Sequence, residues 1–201
     1  MFSYNSNWKN IIADDGIVNY ITVNEFNDSD LSSFIEKIND FLMKNIRIIP
    51  IIINTYGGDI LNVLAMSDYM DSLKKDGITI PTICMGKCMS AGLLLAASGT
   101  RNQRYSTQNC RFLLHEAESM VHGSVSDMKN VLSNVINSNE LYFSKLNTIV
   151  GFDKFFENLL EKNKTTEYFF STDKAIEYGI IDKIGFPKIE YNVTVSTNII
   201  G

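Results

Sequence analysis

The chain has 201 residues, of which 45% are hydrophobic and 20% are charged, and its formal net charge is −5. This composition predicts a compact globular protein with a single domain over residues 1–201. Nucleic acid is excluded as an expected partner, because binding to phosphates requires a basic face.

The three cysteines are Cys84, Cys88 and Cys110, an odd number that lacks the spacing of zinc ligands. Their apolar or small-residue surroundings predict buried free thiols in a reducing compartment. The first residues lack the basic and apolar segments of a secretory signal, and no apolar run reaches the roughly 18 residues that span a bilayer. We therefore expect a cytoplasmic protein without membrane contact.

The first half of the chain alternates strand and helix patterns. Residues 17–23 are rich in β-branched and aromatic types and predict a strand, and a helix follows from Asp28. The nearly continuous apolar run 46–53 predicts a strand covered on both faces. A helix from Asp59 to Gly77 and a strand over 78–85 come next. This alternation predicts βαβ crossovers and a largely parallel sheet.

The second half begins with a short apolar helix that follows Ser90. A strand is predicted over 111–115, a long helix over about 126–150 and another over 152–160. Residues 169–172 introduce a short helix, which Gly179 ends. Residues 1–16 form an N-terminal segment. The tail, 186–201, has apolar residues at period two and is predicted to be an edge strand, a segment that orders on assembly, or disordered.

Ser90 precedes the run of small apolar residues from Ala91 to Ala97, and Gly57-Gly58 follows an earlier strand. A hydroxyl at the first turn of a buried helix can be open on one side, with backbone N–H groups pointing at the group it attacks. This arrangement suits acyl transfer. The alternatives are that Ser90 is only a helix cap and the glycines only a turn. Cys88 replaces the first glycine of G-x-S-x-G, which counts against an α/β-hydrolase.

The chain has only two histidines, His115 and His122. His115 ends a predicted strand, where its side chain can emerge at the edge of the sheet, whereas His122 lies in a polar loop. A serine nucleophile needs an imidazole within hydrogen-bond reach, and the imidazole needs a carboxylate that fixes its tautomer. His115 is therefore the better candidate base, although a single histidine at a strand end is also commonly structural.

The order of short motifs between Gly86 and His115 is more specific than any one of them. Gly86 is followed four residues later by Ser90, and the remaining motifs are Ala96-Ala97-Ser98-Gly99, Arg104-Tyr105 and Asn109-Cys110-Arg111. In this order the chain resembles the proteolytic subunit family of the Clp protease, serine peptidases with a crotonase-like fold. The resemblance extends from about Ile46 to Ile184.

The resemblance implies an α/β fold of repeated βαβ units, with residues 126–150 as a protruding helical handle. It implies that Ser90 is the nucleophile and His115 the base, without a metal or organic cofactor. The oxyanion hole is implied at Gly57, Gly58 and Ala91. The third member of the triad is implied at Glu167, where the family has aspartate. The extra methylene moves the carboxylate by roughly 1.5 Å.

Other carboxylates near Glu167 in sequence are expected to have different roles. We expect Asp153 and Asp173 to face solvent and Asp182 to be structural. The chain also departs from the family at three pairs of positions that shape the substrate groove and the contact between rings: Thr55-Tyr56 replaces Ser-Pro, Glu116-Ala117 replaces Gln-Pro, and Glu167-Tyr168 replaces Asp-Arg. The first two replacements predict a substrate groove that differs from that of the family in shape and charge.

The family forms heptameric rings that pair into a closed chamber and receive unfolded chains from an AAA+ unfoldase. By resemblance, this chain is expected to hydrolyse unfolded proteins or peptides as a homo-oligomer. The 201 residues contain no G-x-x-x-x-G-K-[ST] loop, so an ATP-driven unfoldase would be a separate partner. The alternatives are a noncatalytic ring partner, a stand-alone processing peptidase, and a crotonase-type enzyme acting on coenzyme A thioesters.

Overall fold

The computed structural model describes residues 20–187, and a seven-stranded sheet lies at its centre. The strands are β1 (Ile21–Val23), β2 (Ile51–Thr55), β3 (Thr82–Met89), β4 (Arg104–Ser106), β5 (Arg111–His115), β6 (Glu167–Ser171) and β7 (Lys183–Ile184). The helices are α1 (Asp28–Met43), α2 (Ile60–Lys75), α3 (Ala91–Ala97), α4 (Val125–Val150), α5 (Phe155–Asn163) and α6 (Thr172–Glu177). The predicted segment 1–16, residues 17–19 of the first predicted strand and all but the first two residues of the tail lie outside this range.

The sheet is parallel except at one pair of strands. Its main order is β1-β2-β3-β4-β7, and β5 lies between β3 and β6. The first half of β3 pairs with β4, and its second half pairs with β5, with Met89 opposite Leu113. Among the strands of residues 20–187, only β5 and β6 are antiparallel. The predicted α/β fold with a largely parallel sheet is confirmed, and the carboxyl ends of β3 and β5 lie side by side.

The first strands differ from the prediction at their ends. The strand predicted over 46–53 begins only at Ile51, and an isolated bridge joins Ile48 to Thr79. Pro50 has no N–H to donate to a ladder, so regular pairing starts after it. The strand predicted over 78–85 runs from Thr82 to Met89 instead. Its continuation passes through Gly86, whose φ of +73° lets the chain change direction without ending the strand.

The second half contains three strands that the sequence patterns did not predict: β4, β6 and β7. β6 occupies residues interpreted as the entrance to a helix, and its full length pairs with β5. The short helix itself is confirmed as α6, with Ser171 as its N-cap. The helix predicted over 152–160 begins later, at Phe155, and ends at Asn163.

The long helix α4 has two different halves. It begins with a capping box formed by Ser124 and Asp127 and ends at Gly151 in the left-handed conformation. Large apolar side chains of its first half are exposed: Val125, Met128, Val131, Leu132 and Ile136. Side chains of its second half are buried against the core: Tyr142, Phe143 and Leu146. This division agrees with the predicted protruding handle.

The helix that follows Ser90 is buried along its whole length, because α3 consists only of small and aliphatic residues. It packs against β3 and against α2 and α4. The three cysteines are buried and free, as predicted. None of the helices within residues 20–187 is both long enough and apolar enough to cross a bilayer.

Candidate active site

Ser90 lies at the point where β3 ends and α3 begins. Its φ of 53° is in a region that side chains other than glycine rarely occupy. Two hydrogen bonds hold its backbone there. The Ser90 N–H donates to the Leu113 carbonyl at 2.8 Å, and the Tyr142 hydroxyl donates to the Ser90 carbonyl at 2.9 Å. Burial raises the pKa of Tyr142, so its hydroxyl remains a donor at neutral pH. Strand pairing and α4 together thus support a strained conformation at Ser90.

The glycine turn after β2 lies directly against Ser90. A Cβ atom on Gly57 would lie 2.6 Å from the Ser90 Cβ and 3.1 Å from its Oγ, and Gly57 has a φ of +116°. Gly58 has a φ of +154°, and a Cβ there would lie 3.0 Å from the backbone nitrogen of Phe26. Both glycines are therefore required by close approach as well as by conformation.

Backbone amides near Ser90 differ in whether they already have an acceptor. The Gly57 N–H donates to the Thr55 Oγ1 at 3.0 Å. The N–H groups of Gly58 and Ala91 have no acceptor within the part of the chain that the structure describes. Ala91 is the first residue of α3, where an N–H has no partner inside the helix. Two donors are thus available beside the hydroxyl.

His115 is the last residue of β5, and the pairing of β5 with β3 brings it to Ser90. The His115 Nε2 and the Ser90 Oγ are 2.7 Å apart. With the proton on Nδ1, Nε2 accepts the hydrogen bond from the serine hydroxyl. The other histidine, His122, is exposed in the following loop. The structure therefore brings together the two residues singled out as nucleophile and base.

The other ring nitrogen of His115 faces two carboxylates without a hydrogen bond to either. Its Nδ1 is buried and has no hydrogen-bond partner within residues 20–187. Glu167 lies directly opposite His115 in the β5–β6 pair. A ring nitrogen of His115 and one carboxylate oxygen each of Glu118 and Glu167 lie within 4.8 Å of one another. The Glu118 Oε1 is 3.9 Å from Nδ1. Glu167 is thus adjacent to the base, and its role in a triad stays a prediction.

Sequence reasoning did not identify Glu118. The signal that could have found it is its position three residues after His115, in the loop at the carboxyl end of β5. At such a loop an acidic side chain can turn back toward the strand end.

The remaining acidic candidates lie where the sequence placed them. Asp153 and Asp173 are exposed. Asp182 accepts hydrogen bonds from the side chain of Arg104, at 2.9 Å from Nε, and from the Arg104 backbone N–H. Burial tends to raise the pKa of Asp182, but the contacts with Arg104 outweigh it and hold the pKa below its ordinary value. Asp182 is therefore structural.

A cavity of about 450 Å³ opens beside Ser90 and His115. Part of its lining is apolar or aromatic and comes from the glycine turn, the start of α2 and α4: Tyr56, Ile60, Leu61, Val131, Val135 and Tyr142. The polar residues Glu118, Ser119 and Asn139 lie on it as well. The cavity has the size and mixed lining of a site for a small segment of substrate.

The cysteines near the site are poor nucleophiles. Burial raises the pKa of the Cys88 thiol well above its ordinary value. Burial also raises the pKa of Cys110 to about 12. The thiolate is the reactive form of cysteine. The nucleophilic group that the structure presents to His115 is therefore the Ser90 hydroxyl.

Comparison with known proteins gives consistent matches. The family model described as Clp protease matches residues 9–188. The ATP-dependent Clp protease proteolytic subunit 2 of Frankia casuarinae is 33% identical over 138 residues, which are 69% of this chain and 61% of the relative. The ATP-dependent Clp protease proteolytic subunit of Borrelia garinii subsp. bavariensis is 30% identical over 132 residues, 66% of this chain and 65% of the relative. The chain thus spans less than two thirds of the length of each of these relatives.

Proposed function

This chain belongs to the Clp protease family, and we propose that it is a serine endopeptidase that hydrolyses unfolded polypeptides or peptides. The observation that carries the proposal is the 2.7 Å hydrogen bond between the Ser90 hydroxyl and His115 Nε2. A serine hydroxyl is a weak nucleophile near neutral pH unless a base removes its proton. The contact supplies that base beside a cavity that is open to substrate.

In the proposed reaction, the Ser90 Oγ attacks a peptide carbonyl carbon while His115 Nε2 takes the hydroxyl proton. The resulting oxyanion accepts hydrogen bonds from the N–H groups of Gly58 and Ala91. The Gly57 N–H joins them when its hydrogen bond to the Thr55 Oγ1 breaks and it donates to the oxyanion instead. His115 then protonates the departing amine, and a water molecule hydrolyses the acyl-enzyme by the same steps. This chemistry needs no metal or organic cofactor.

We further propose that Glu167 takes part in orienting His115, as a Ser-His-Glu triad. Its position directly opposite His115 in the antiparallel strand pair supports this role, because directly opposed residues point to the same face of the sheet. The missing hydrogen bond between Glu167 and His115 Nδ1 is compatible with this role, because catalytic hydrogen bonds often tighten only when substrate binds.

The proposed oligomer is a homo-oligomer of heptameric rings, single or stacked in pairs, that encloses the sites. The exposed apolar side chains on the first half of α4 support a contact with another subunit, because such patches mark interaction surfaces. A separate AAA+ unfoldase would deliver the substrate chains. A cytoplasmic location agrees with three free, buried thiols.

The test is labelling of the purified protein with a fluorophosphonate probe, combined with hydrolysis of a fluorescently labelled unfolded protein. Ser90→Ala should lose both labelling and hydrolysis. The matched control is Ser119→Ala, which removes an exposed hydroxyl from the lining of the same cavity. Size-exclusion chromatography of each variant reports ring assembly. Labelling that persists in Ser90→Ala would overturn the assignment of the nucleophile.

A second candidate function is that of a noncatalytic ring partner. It is favoured by the His115 Nδ1, which has no hydrogen-bond acceptor within the described residues. An unlabelled protein that nevertheless elutes as a ring would support this candidate and contradict the peptidase. Hydrolysis of short peptides by a labelled protein that does not form rings would instead favour a stand-alone processing peptidase.

A further inference from the structure

The unpaired nitrogen of His115 is the least satisfied polar group at the site. Its Nδ1 is buried, yet no hydrogen bond reaches it from any residue in the range 20–187. A buried polar group without a hydrogen-bond partner destabilises the state that contains it. When His115 accepts the serine proton, the ring also becomes positively charged, which increases the need for a nearby acceptor.

Glu167 alone does not meet this need in the structure. Its backbone position is fixed by the β5–β6 register, in which Glu167 is paired with His115. Its carboxylate lies beside the ring without a hydrogen bond to Nδ1. The side chain is one methylene longer than the aspartate that the family resemblance implies at this position. The strand register alone therefore does not bring the Glu167 carboxylate into a hydrogen bond with Nδ1.

Glu118 approaches the same nitrogen from a different element. Its Oε1 is 3.9 Å from Nδ1, and its side chain is 77% exposed. A hydrogen bond of about 2.9 Å therefore requires a movement of roughly 1 Å, which an exposed side chain can make by rotating. Glu118 also lines the cavity beside Ser90 and His115.

The loop that carries Glu118 is tied to α4 next to this residue. The Ala117 N–H donates to the Asn139 Oδ1 at 2.9 Å. This bond holds the backbone of the preceding residue against the helix, so the Glu118 side chain starts from a fixed point beside the ring. Strand β6 and the loop thus present one carboxylate each to a single imidazole.

We propose that Glu118 is a positioning residue for His115: its carboxylate accepts the Nδ1–H hydrogen bond and stabilises the imidazolium formed when Ser90 gives up its proton. It shares this role with Glu167. The inference rests on the proposed function, because it concerns the same base. No proton leaves Nδ1 in this step; the proton that moves passes from the Ser90 Oγ to Nε2 and later to the leaving amine.

The test measures the rate of fluorophosphonate labelling of Ser90 as a function of probe concentration and pH. Glu118→Gln should lower the maximal labelling rate by about tenfold or more, with the half-saturating probe concentration unchanged. It should also move the acidic limb of the pH profile to lower pH, because an imidazole that loses a carboxylate neighbour releases its proton more easily. Glu118→Asp should retain part of the rate.

Two further variants separate positioning from general charge effects. Asp153→Asn removes an exposed carboxylate that does not line the cavity and should leave both the rate and the pH profile unchanged. Glu118→Gln combined with Glu167→Gln should lower the maximal labelling rate more than either single variant does, by on the order of 100-fold or more. Melting temperature and elution volume verify that each variant is folded and assembled as the parent.

The outcomes distinguish failure of this inference from failure of the proposed function. A parent protein that labels at Ser90, together with a Glu118→Gln variant that behaves like Asp153→Asn, would overturn the role of Glu118 alone. A change in half-saturating concentration without a change in maximal rate or pH profile would overturn it as well. A parent protein that never labels would overturn both.

Discussion

The close contact between Gly57 and Ser90 makes Gly57→Ala the most direct test of the site geometry. A Cβ at this position would lie 2.6 Å from the Ser90 Cβ, 3.1 Å from its Oγ and 3.2 Å from the Met89 carbonyl oxygen. Carbon atoms in contact are normally about 3.5–4.0 Å apart. Either the glycine turn or the nucleophile must therefore move by about 1 Å.

The expected magnitude follows from that displacement. A misplacement of about 1 Å at a catalytic group can cost on the order of 100-fold in rate. The backbone contributes separately, since a non-glycine residue at a φ of +116° costs about 1–3 kcal/mol of stability. Gly57→Ala is thus expected to lose about two orders of magnitude in fluorophosphonate labelling rate together with a moderate loss of stability.

Gly77→Ala is the matched control. Gly77 has a φ of +79°, and nothing lies within 4 Å of the Cβ that an alanine would add. It imposes backbone strain of the same kind without contact with Ser90, so its labelling rate should equal that of the parent. The assay combines labelling kinetics with thermal unfolding. Equal labelling rates in Gly57→Ala and Gly77→Ala would refute the argument that the glycine is required by close approach to the nucleophile.

Two further predictions concern groups that support the site and the sheet. Tyr142→Phe removes the hydrogen bond to the Ser90 carbonyl, so it should cost about 1 kcal/mol of stability and slow the labelling of Ser90. The control Tyr69→Phe loses a hydrogen bond to Asn39 and should leave the labelling rate unchanged. Asp182→Asn breaks the buried pair with Arg104 and should cost about 3 kcal/mol at neutral pH in denaturant unfolding. Because folding lowers the pKa of Asp182 below 3.8, the stability from its carboxylate is present above that pH and is lost as pH falls further, so the difference from the parent should shrink below about pH 4. A difference that stays constant down to pH 2 would contradict this account.

The fold was accessible from the sequence where local patterns coincide with simple topology. The apolar run 46–53 contains the first three residues of β2, and α3 consists of small and aliphatic residues, so the burial of both could be predicted. Their alternation with helices also predicts the parallel sheet. The adjacency of Ser90 and His115 depends in addition on the pairing of β3 with β5, which the structure shows and the alternation does not specify. Their catalytic roles remain predictions.

The parts that the sequence did not predict depend on long-range contacts. Strand β6 is specified by its pairing with β5. Its aromatic residues alone do not distinguish a strand from the segment that precedes a helix. The position of the Glu118 carboxylate depends on a loop without regular structure and on its tie to α4. Neither the register of an antiparallel pair nor the direction of a loop side chain is encoded in local periodicity.

The helix α4 contributes both to the exposed apolar surface proposed to contact another subunit and to the candidate active site. Its first half exposes apolar side chains, and its second half holds the Ser90 carbonyl through Tyr142. Asn139, between these halves, holds the loop that follows His115. The nucleophile and the loop beside the base therefore depend on the placement of one helix. Because the conformation of Ser90 is strained, its geometry persists only while such contacts remain in place.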